Sequence, residues 1–134
     1  MITIALFGFG DVGRALIREL SSFQGIDLRI VFSSRGYVLI RDRGDYLELL
    51  RLARTGSRLE EHSGFQPSSE QLGIIGDLGV ELAFIAIPPI YESGEPNRSL
   101  CYGLIDQGIS IITADKTGSA LEYDELVKRI REKT

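Results

Sequence analysis

Apolar positions along this chain fall into short unbroken runs that alternate with stretches of helical spacing. Residues 2–7, ITIALF, are strand formers that end at a glycine. Their continuous apolar character predicts a strand covered on both faces, as in a parallel sheet. Over residues 11–20, Val12, Ala15, Leu16 and Leu20 recur at helical intervals, and Ser21-Ser22 ends the element. Residues 27–33 hold Leu28, Ile30, Val31 and Phe32, a second strand. The chain therefore begins strand, helix, strand with short links, and such a unit is right-handed almost by rule.

The alternation continues. Residues 37–40 read as a short extended piece. Residues 45–54 read as a helix with Asp45 as its N-cap. Residues 55–69 are polar and contain Gly56, Gly64 and Pro67, which predicts the least ordered part of the chain. Residues 70–75 read as a short helix. Residues 81–87 form an apolar strand stopped by Pro88-Pro89, and residues 98–107 a helix closed by Gly108 at C′. Residues 109–113 are a further buried strand. Residues 123–133 are a charged helix with Leu126, Val127 and Ile130 inward. Strands alternating with helices predict an α/β fold: a doubly wound, mainly parallel sheet with helices on both faces. Residues 1–134 read as one domain, with no internal repeat, low-complexity tract or linker.

Totals narrow the field. A chain of 134 residues buries roughly two thirds of its unfolded surface and folds without staples. One cysteine excludes an internal disulfide. The net charge of −4 leaves no basic excess for phosphate neutralisation, which argues against a nucleic-acid partner. No apolar run reaches a membrane span, and the N-terminal run lacks a basic leader and a cleavage site. A cytoplasmic protein without membrane or nucleic-acid partners is expected.

The candidate chemistry begins at Gly8-Phe9-Gly10-Asp11-Val12-Gly13. A GxGxxG turn alone is a weak signal. Here it follows a strand and opens a helix inside a strand–helix–strand unit, the context of the Rossmann dinucleotide-binding fingerprint. Gly8 allows the tight turn, Gly10 lets a pyrophosphate approach the backbone, and Gly13 lets helix and strand pack closely. The helix N-terminus then offers N–H groups and partial positive charge to phosphates.

The end of the second strand selects the cofactor. NAD sites carry Asp or Glu there for the ribose 2′-hydroxyl. This chain has Ser33-Ser34-Arg35-Gly36. Arg35 can clamp a 2′-phosphate, with Arg41, Arg43, Arg51 or Arg54 as candidate assistants. NADP is therefore expected in preference to NAD.

The second half adds Gly94-Glu95-Pro96 before a helix and Thr113-Ala114-Asp115-Lys116 after the next strand. Together with the glycine turn and Ser34-Arg35-Gly36, this resembles the homoserine dehydrogenase family, from Ile4 to about Ile130. The resemblance implies an NAD(P)-dependent oxidoreductase. The reaction would be hydride transfer between homoserine and aspartate semialdehyde, a step of threonine and methionine biosynthesis. It assigns a catalytic role to Lys116, which would orient the substrate oxygen and stabilise charge on it. It places Ile87, Pro88, Thr113, Ala114 and Lys116 along the cofactor, beside Gly8 to Gly13 and Ser33 to Arg35. No metal site is implied, and no cluster has metal-ligand spacing.

Three departures stand out. Asp115 replaces the family's asparagine and would hold Lys116 charged. Ala86-Ile87-Pro88 replaces a more polar segment. The family continues into a substrate-binding and dimerisation region with a second catalytic lysine, which lies beyond the resemblance. The chain is therefore expected to be a cofactor domain that is catalytically incomplete alone. The alternatives are a free-standing NAD(P)-binding or sensing module, a cofactor subunit paired with a separate substrate-domain chain, and a related enzyme such as aspartate dehydrogenase. His62 sits in a polar segment and reads as an exposed loop residue. Cys101 reads as a small buried residue of a helix.

Overall fold

The computed structural model describes residues 1–87 and 97–113. Strands and helices follow in the order β1 (Ile2–Phe7), α1 (Asp11–Leu20), β2 (Ile26–Phe32), β3 (Gly36–Leu39), α2 (Arg43–Thr55), β4 (Phe65–Pro67), α3 (Gln71–Ile75), β5 (Leu82–Ile85), α4 (Asn97–Asp106) and β6 (Ser110–Thr113). They form one six-stranded sheet in the order β4-β3-β2-β1-β5-β6. The pairings β1–β2, β1–β5 and β5–β6 are parallel.

The sheet is covered on both faces, as the unbroken apolar strands require. Ile4 and Leu6 of β1 pack in one cluster with Ile17 of α1 and Leu49 and Leu52 of α2. Ala5 and Phe7, pointing the other way, pack with Ile75 of α3 and Leu100 and Leu104 of α4. The period-two alternation of β1 thus feeds two cores, which is the doubly wound arrangement. Phe7 and Phe32, partners in the β1–β2 register, stack with centroids 4.5 Å apart.

The sheet departs from simple parallel winding beyond β2. The chain turns back at Ser33–Gly36 and pairs β3 antiparallel to β2, then β4 antiparallel to β3. The Ser33 N–H donates to the Gly36 carbonyl at 2.9 Å, and the Arg35 N–H to the Ser33 hydroxyl at 3.2 Å. A hairpin forms because residues 33–36 offer a two-residue turn, whereas a parallel return needs a crossover. Gly36 is required here, since a Cβ would overlap the Gln66 carbonyl and the Phe65 ring.

Three expectations are corrected. The N-cap of α2 is Asp42, whose carboxylate accepts from the Asp45 N–H at 2.9 Å. Asp45 lies in the first turn and reaches back to the N–H of Arg41 at 3.0 Å and to its Nε at 3.1 Å. The Arg41 backbone bond, then its side chain, holds the Asp45 carboxyl below the usual carboxylate range.

The polar segment after α2 is also structured. It contains a 3₁₀ turn, Leu59–Glu61, and β4. Leu59 is buried in the core. His62 is 3% exposed, so it is not a solvated loop residue. The Gly64 N–H donates to its Nδ1 at 2.9 Å, which leaves Nε2 to donate to the Asp45 carbonyl at 2.9 Å. Ser63 caps the arrangement, donating from its N–H and hydroxyl to Glu48 at 2.7 and 2.6 Å. Those two bonds, the hydroxyl first, hold the Glu48 carboxyl low. Backbone partners for the imidazole replace solvent, which is how a polar segment buries a histidine. No helix among the described residues is long and apolar enough to cross a membrane.

Candidate functional site: the cleft at the glycine turn

The three glycines of the β1–α1 turn meet three different constraints. Gly8 has φ +108°, and a Cβ on it would lie 2.6 Å from the Ala86 carbonyl oxygen. Both facts demand glycine. A Cβ on Gly13 would overlap the Gly8 carbonyl, so the first turn of α1 sits directly on the loop. Gly10 has φ −89° and, among the described residues, nothing within 4 Å of where its Cβ would stand. None of the described residues requires glycine at position 10. The open space there belongs to the surface of the cleft.

Gly10 is also the N-cap of α1, so the N-cap position supplies no side-chain cap to the helix. The first N–H groups of a helix have no partners within it, and the helix dipole places partial positive charge there. Phe9 turns its ring into the core, at 8% exposure, and contributes its backbone to the turn. Arg14 donates to the Phe9 carbonyl at 2.8 Å and to the Asp11 carboxylate at 2.9 Å. Its guanidinium carbon stands 5.9 Å from the centre of the Phe9 ring. An arginine is thus fixed beside the helix N-terminus.

The turn opens on a cleft of about 600 Å³ between the carboxyl ends of the strands and the segment after α2. Of the residues expected at the site, Gly8, Phe9, Gly10, Ser33, Ser34, Arg35 and Ile87 line it together. Asp11, Val12, Gly13 and Thr113 are not among its lining residues. Gly13 instead supports the turn from behind, and Thr113 ends β6. Pro88, Ala114 and Lys116 lie outside the described residues, as do Asp115, Gly94-Glu95-Pro96 and the expected helix at 123–133.

The cleft contains cations that were not expected there. Arg14 and Arg58 join Arg35 as lining residues, whereas Arg41, Arg43, Arg51 and Arg54 do not line it. Arg41 is drawn to Asp45 by the bonds described above. Arg58 opens the 3₁₀ turn, where its N–H donates to Glu61 at 2.9 Å. Arg35 is 70% exposed and stands 3.7 Å from Glu60. Gln71 of α3 donates to the Ser33 carbonyl at 3.2 Å and holds the hairpin tip at the cleft edge. A sequence signal for Arg14 was present, as it directly follows the last glycine of the turn. For Arg58 and Glu60 there was none, because only the antiparallel pairing of β4 with β3, across the intervening helix, brings their segment to the cleft.

No family model matches the chain. The homoserine dehydrogenase of Sulfurisphaera tokodaii is 30% identical over 139 residues, covering 97% of this chain and 38% of that protein. The homoserine dehydrogenase of Pyrococcus horikoshii is 29% identical over 143 residues, covering 98% and 41%. A solved hyperthermophilic archaeal homoserine dehydrogenase in complex with NADPH superposes with a TM-score of 0.78 at 20% identity, covering 98% of this chain and 41% of that one. The chain is related over its whole length to homoserine dehydrogenases, matching their N-terminal portion.

The chain spans about two fifths of the length of the curated homoserine dehydrogenases it matches. The solved homoserine dehydrogenase shares the fold of this chain. The likeness to homoserine dehydrogenases is not confined to the glycine turn, since it covers 97–98% of this chain.

Proposed function

We propose that the chain is the dinucleotide-binding domain of a homoserine dehydrogenase-like oxidoreductase, with NADP preferred over NAD. The observation that carries this reading is the convergence, on one cleft, of an open Gly10, an uncapped helix N-terminus and Arg35. The donor set fits a dinucleotide. Backbone N–H groups at the start of α1 and the guanidinium of Arg14 meet the pyrophosphate. Arg35, with Arg58 also lining the cleft, would meet a 2′-phosphate. No carboxylate stands at the end of β2, where NAD sites carry one. A homoserine dehydrogenase of the same fold has been solved with NADPH, which supports the same cofactor class here.

The bound cofactor would take up or return the hydride exchanged with the substrate carbon. The reaction is the interconversion of homoserine and aspartate semialdehyde. Lys116 is proposed as the catalytic cation that orients the substrate oxygen and stabilises its charge. Ile87, Pro88, Thr113 and Ala114 are proposed to flank the cofactor. Substrate groups beyond these would come from the region of the relatives that this chain does not match, in the same polypeptide or in a separate chain. A cytoplasmic setting fits this reading.

Isothermal titration with NADPH and NADH tests it. Tighter binding of NADPH is expected. Equal or tighter binding of NADH would reverse the assignment of Arg35, and no binding of either would end the cofactor reading.

A further inference from the structure

We infer that Glu60 is a specificity-determining residue of this cleft, an acid that sustains NAD binding and restrains the preference for NADP. The inference rests on the dinucleotide reading above and assigns a role within it. Glu60 is the one carboxylate among the described residues that line the cleft. Its Oε2 stands 3.7 Å from Nη1 of Arg35, the residue that would receive a 2′-phosphate. The carboxylate that dinucleotide sites of this fold usually carry at the end of β2 is absent. Its charge returns from another element, the 3₁₀ turn after α2.

The two cofactors differ only at the ribose 2′ position, a hydroxyl in NAD and a phosphate in NADP. A carboxylate accepts a hydrogen bond from the hydroxyl and repels the phosphate. A guanidinium attracts the phosphate and donates to it, and gains far less from the neutral hydroxyl. This cleft holds one of each, facing one another. At 3.7 Å the pair is longer than a direct charged hydrogen bond, so each partner keeps capacity for a ligand.

The two are held differently. Glu60 is 29% exposed and belongs to a turn whose neighbours are fixed: Leu59 is buried, Glu61 accepts from Arg58, and His62 is bonded at both nitrogens. Arg35 is 70% exposed at a hairpin tip. The acid therefore has a set position, and the long cation can move to a phosphate or stay with the acid. With NAD bound, Glu60 takes the 2′-hydroxyl. With NADP bound, Arg35 must leave Glu60, and the carboxylate remains as a neighbouring negative charge.

The test is titration of the wild-type chain and of Glu60→Gln with NADP and with NAD, alongside Arg35→Gln. Glu60→Gln should weaken NAD by about tenfold, the scale of a hydrogen bond to a charged group. It should tighten NADP by about threefold, the scale of an exposed charge interaction. Arg35→Gln should weaken NADP and leave NAD within about twofold. An unchanged ratio of the two affinities in Glu60→Gln, with wild-type binding intact, overturns the role of Glu60 alone. Equal weakening of both cofactors also overturns it, since that marks a structural role. If the wild-type chain binds neither cofactor, the dinucleotide reading itself fails.

Discussion

Gly8 lies so close to Ala86 that a methyl group on it would stand 2.6 Å from the Ala86 carbonyl oxygen, whereas Gly10, two residues on, faces open space among the described residues. The contrast separates the fold from the function of one short motif. Gly8→Ala combines a left-handed φ with a backbone clash and should destabilise the chain by about 2–4 kcal/mol. Gly10→Ala should change stability by less than about 1 kcal/mol, the scale of an N-cap exchange. It should nevertheless weaken dinucleotide binding by about tenfold, through loss of close phosphate approach. Denaturant melts and titrations of the two variants check this pair of outcomes.

His62 is predicted to be structural. His62→Ala leaves the Gly64 N–H and the Asp45 carbonyl without their partner and opens a hole under the turn that carries Arg58 and Glu60. A loss of about 2 kcal/mol or more is expected in chemical denaturation. Asparagine, which keeps one acceptor and one donor, should recover part of it. Full stability in His62→Ala would show that these bonds contribute nothing.

Acid should weaken the same region. The carboxyls of Asp45 and Glu48 are held below their ordinary values, by the Arg41 backbone bond and the Ser63 hydroxyl respectively. The unfolded chain therefore binds their protons at a higher pH than the folded one does. Their contribution is whole above the ordinary carboxylate value of about 4 and is lost as pH falls through the depressed folded values. Both carboxylates lie at the surface, only partly exposed, and Arg41 beside Asp45 is well exposed, so the effect is modest. Asp45→Asn and Glu48→Gln should each flatten the stability profile on the acid side, measured by urea melts from neutral pH downward.

Tyr46 joins the two helices of one face. Its hydroxyl donates to the Ile17 carbonyl at 2.8 Å, and burial pushes its own pKa up. Tyr46→Phe keeps the ring and removes the bond. A loss of about 1 kcal/mol is expected in a denaturant melt, with cofactor binding unaffected because the residue is remote from the cleft.

The first half of the fold was readable because its signals are local. The apolar run of β1, the glycine turn and the helical spacing of α1 each act over a few residues, and all agree. The glycine at 108 likewise marks the end of α4, with φ +81°. The reversal at residues 33–36 was not readable, because a short extended segment pairs either way until its partners are known. That one event determines the rest. It makes β3 and β4 antiparallel, orders the polar residues after α2, buries His62 and brings Arg58 and Glu60 to the cleft. Asp42 escaped notice as N-cap because Asp45 offers the same chemistry three residues later. Arg35 was legible from the family of turns it belongs to, while the acid opposite it was not.

The central claim is that the cleft at Gly8, Gly10 and Arg35 holds a nicotinamide dinucleotide. Thermal melting of the 134-residue chain with increasing NADPH tests it most directly. At a concentration of about 100 times the dissociation constant, stability should rise by roughly 2.7 kcal/mol, and by more than NADH gives at the same concentration. A melting curve that neither dinucleotide moves would contradict the claim.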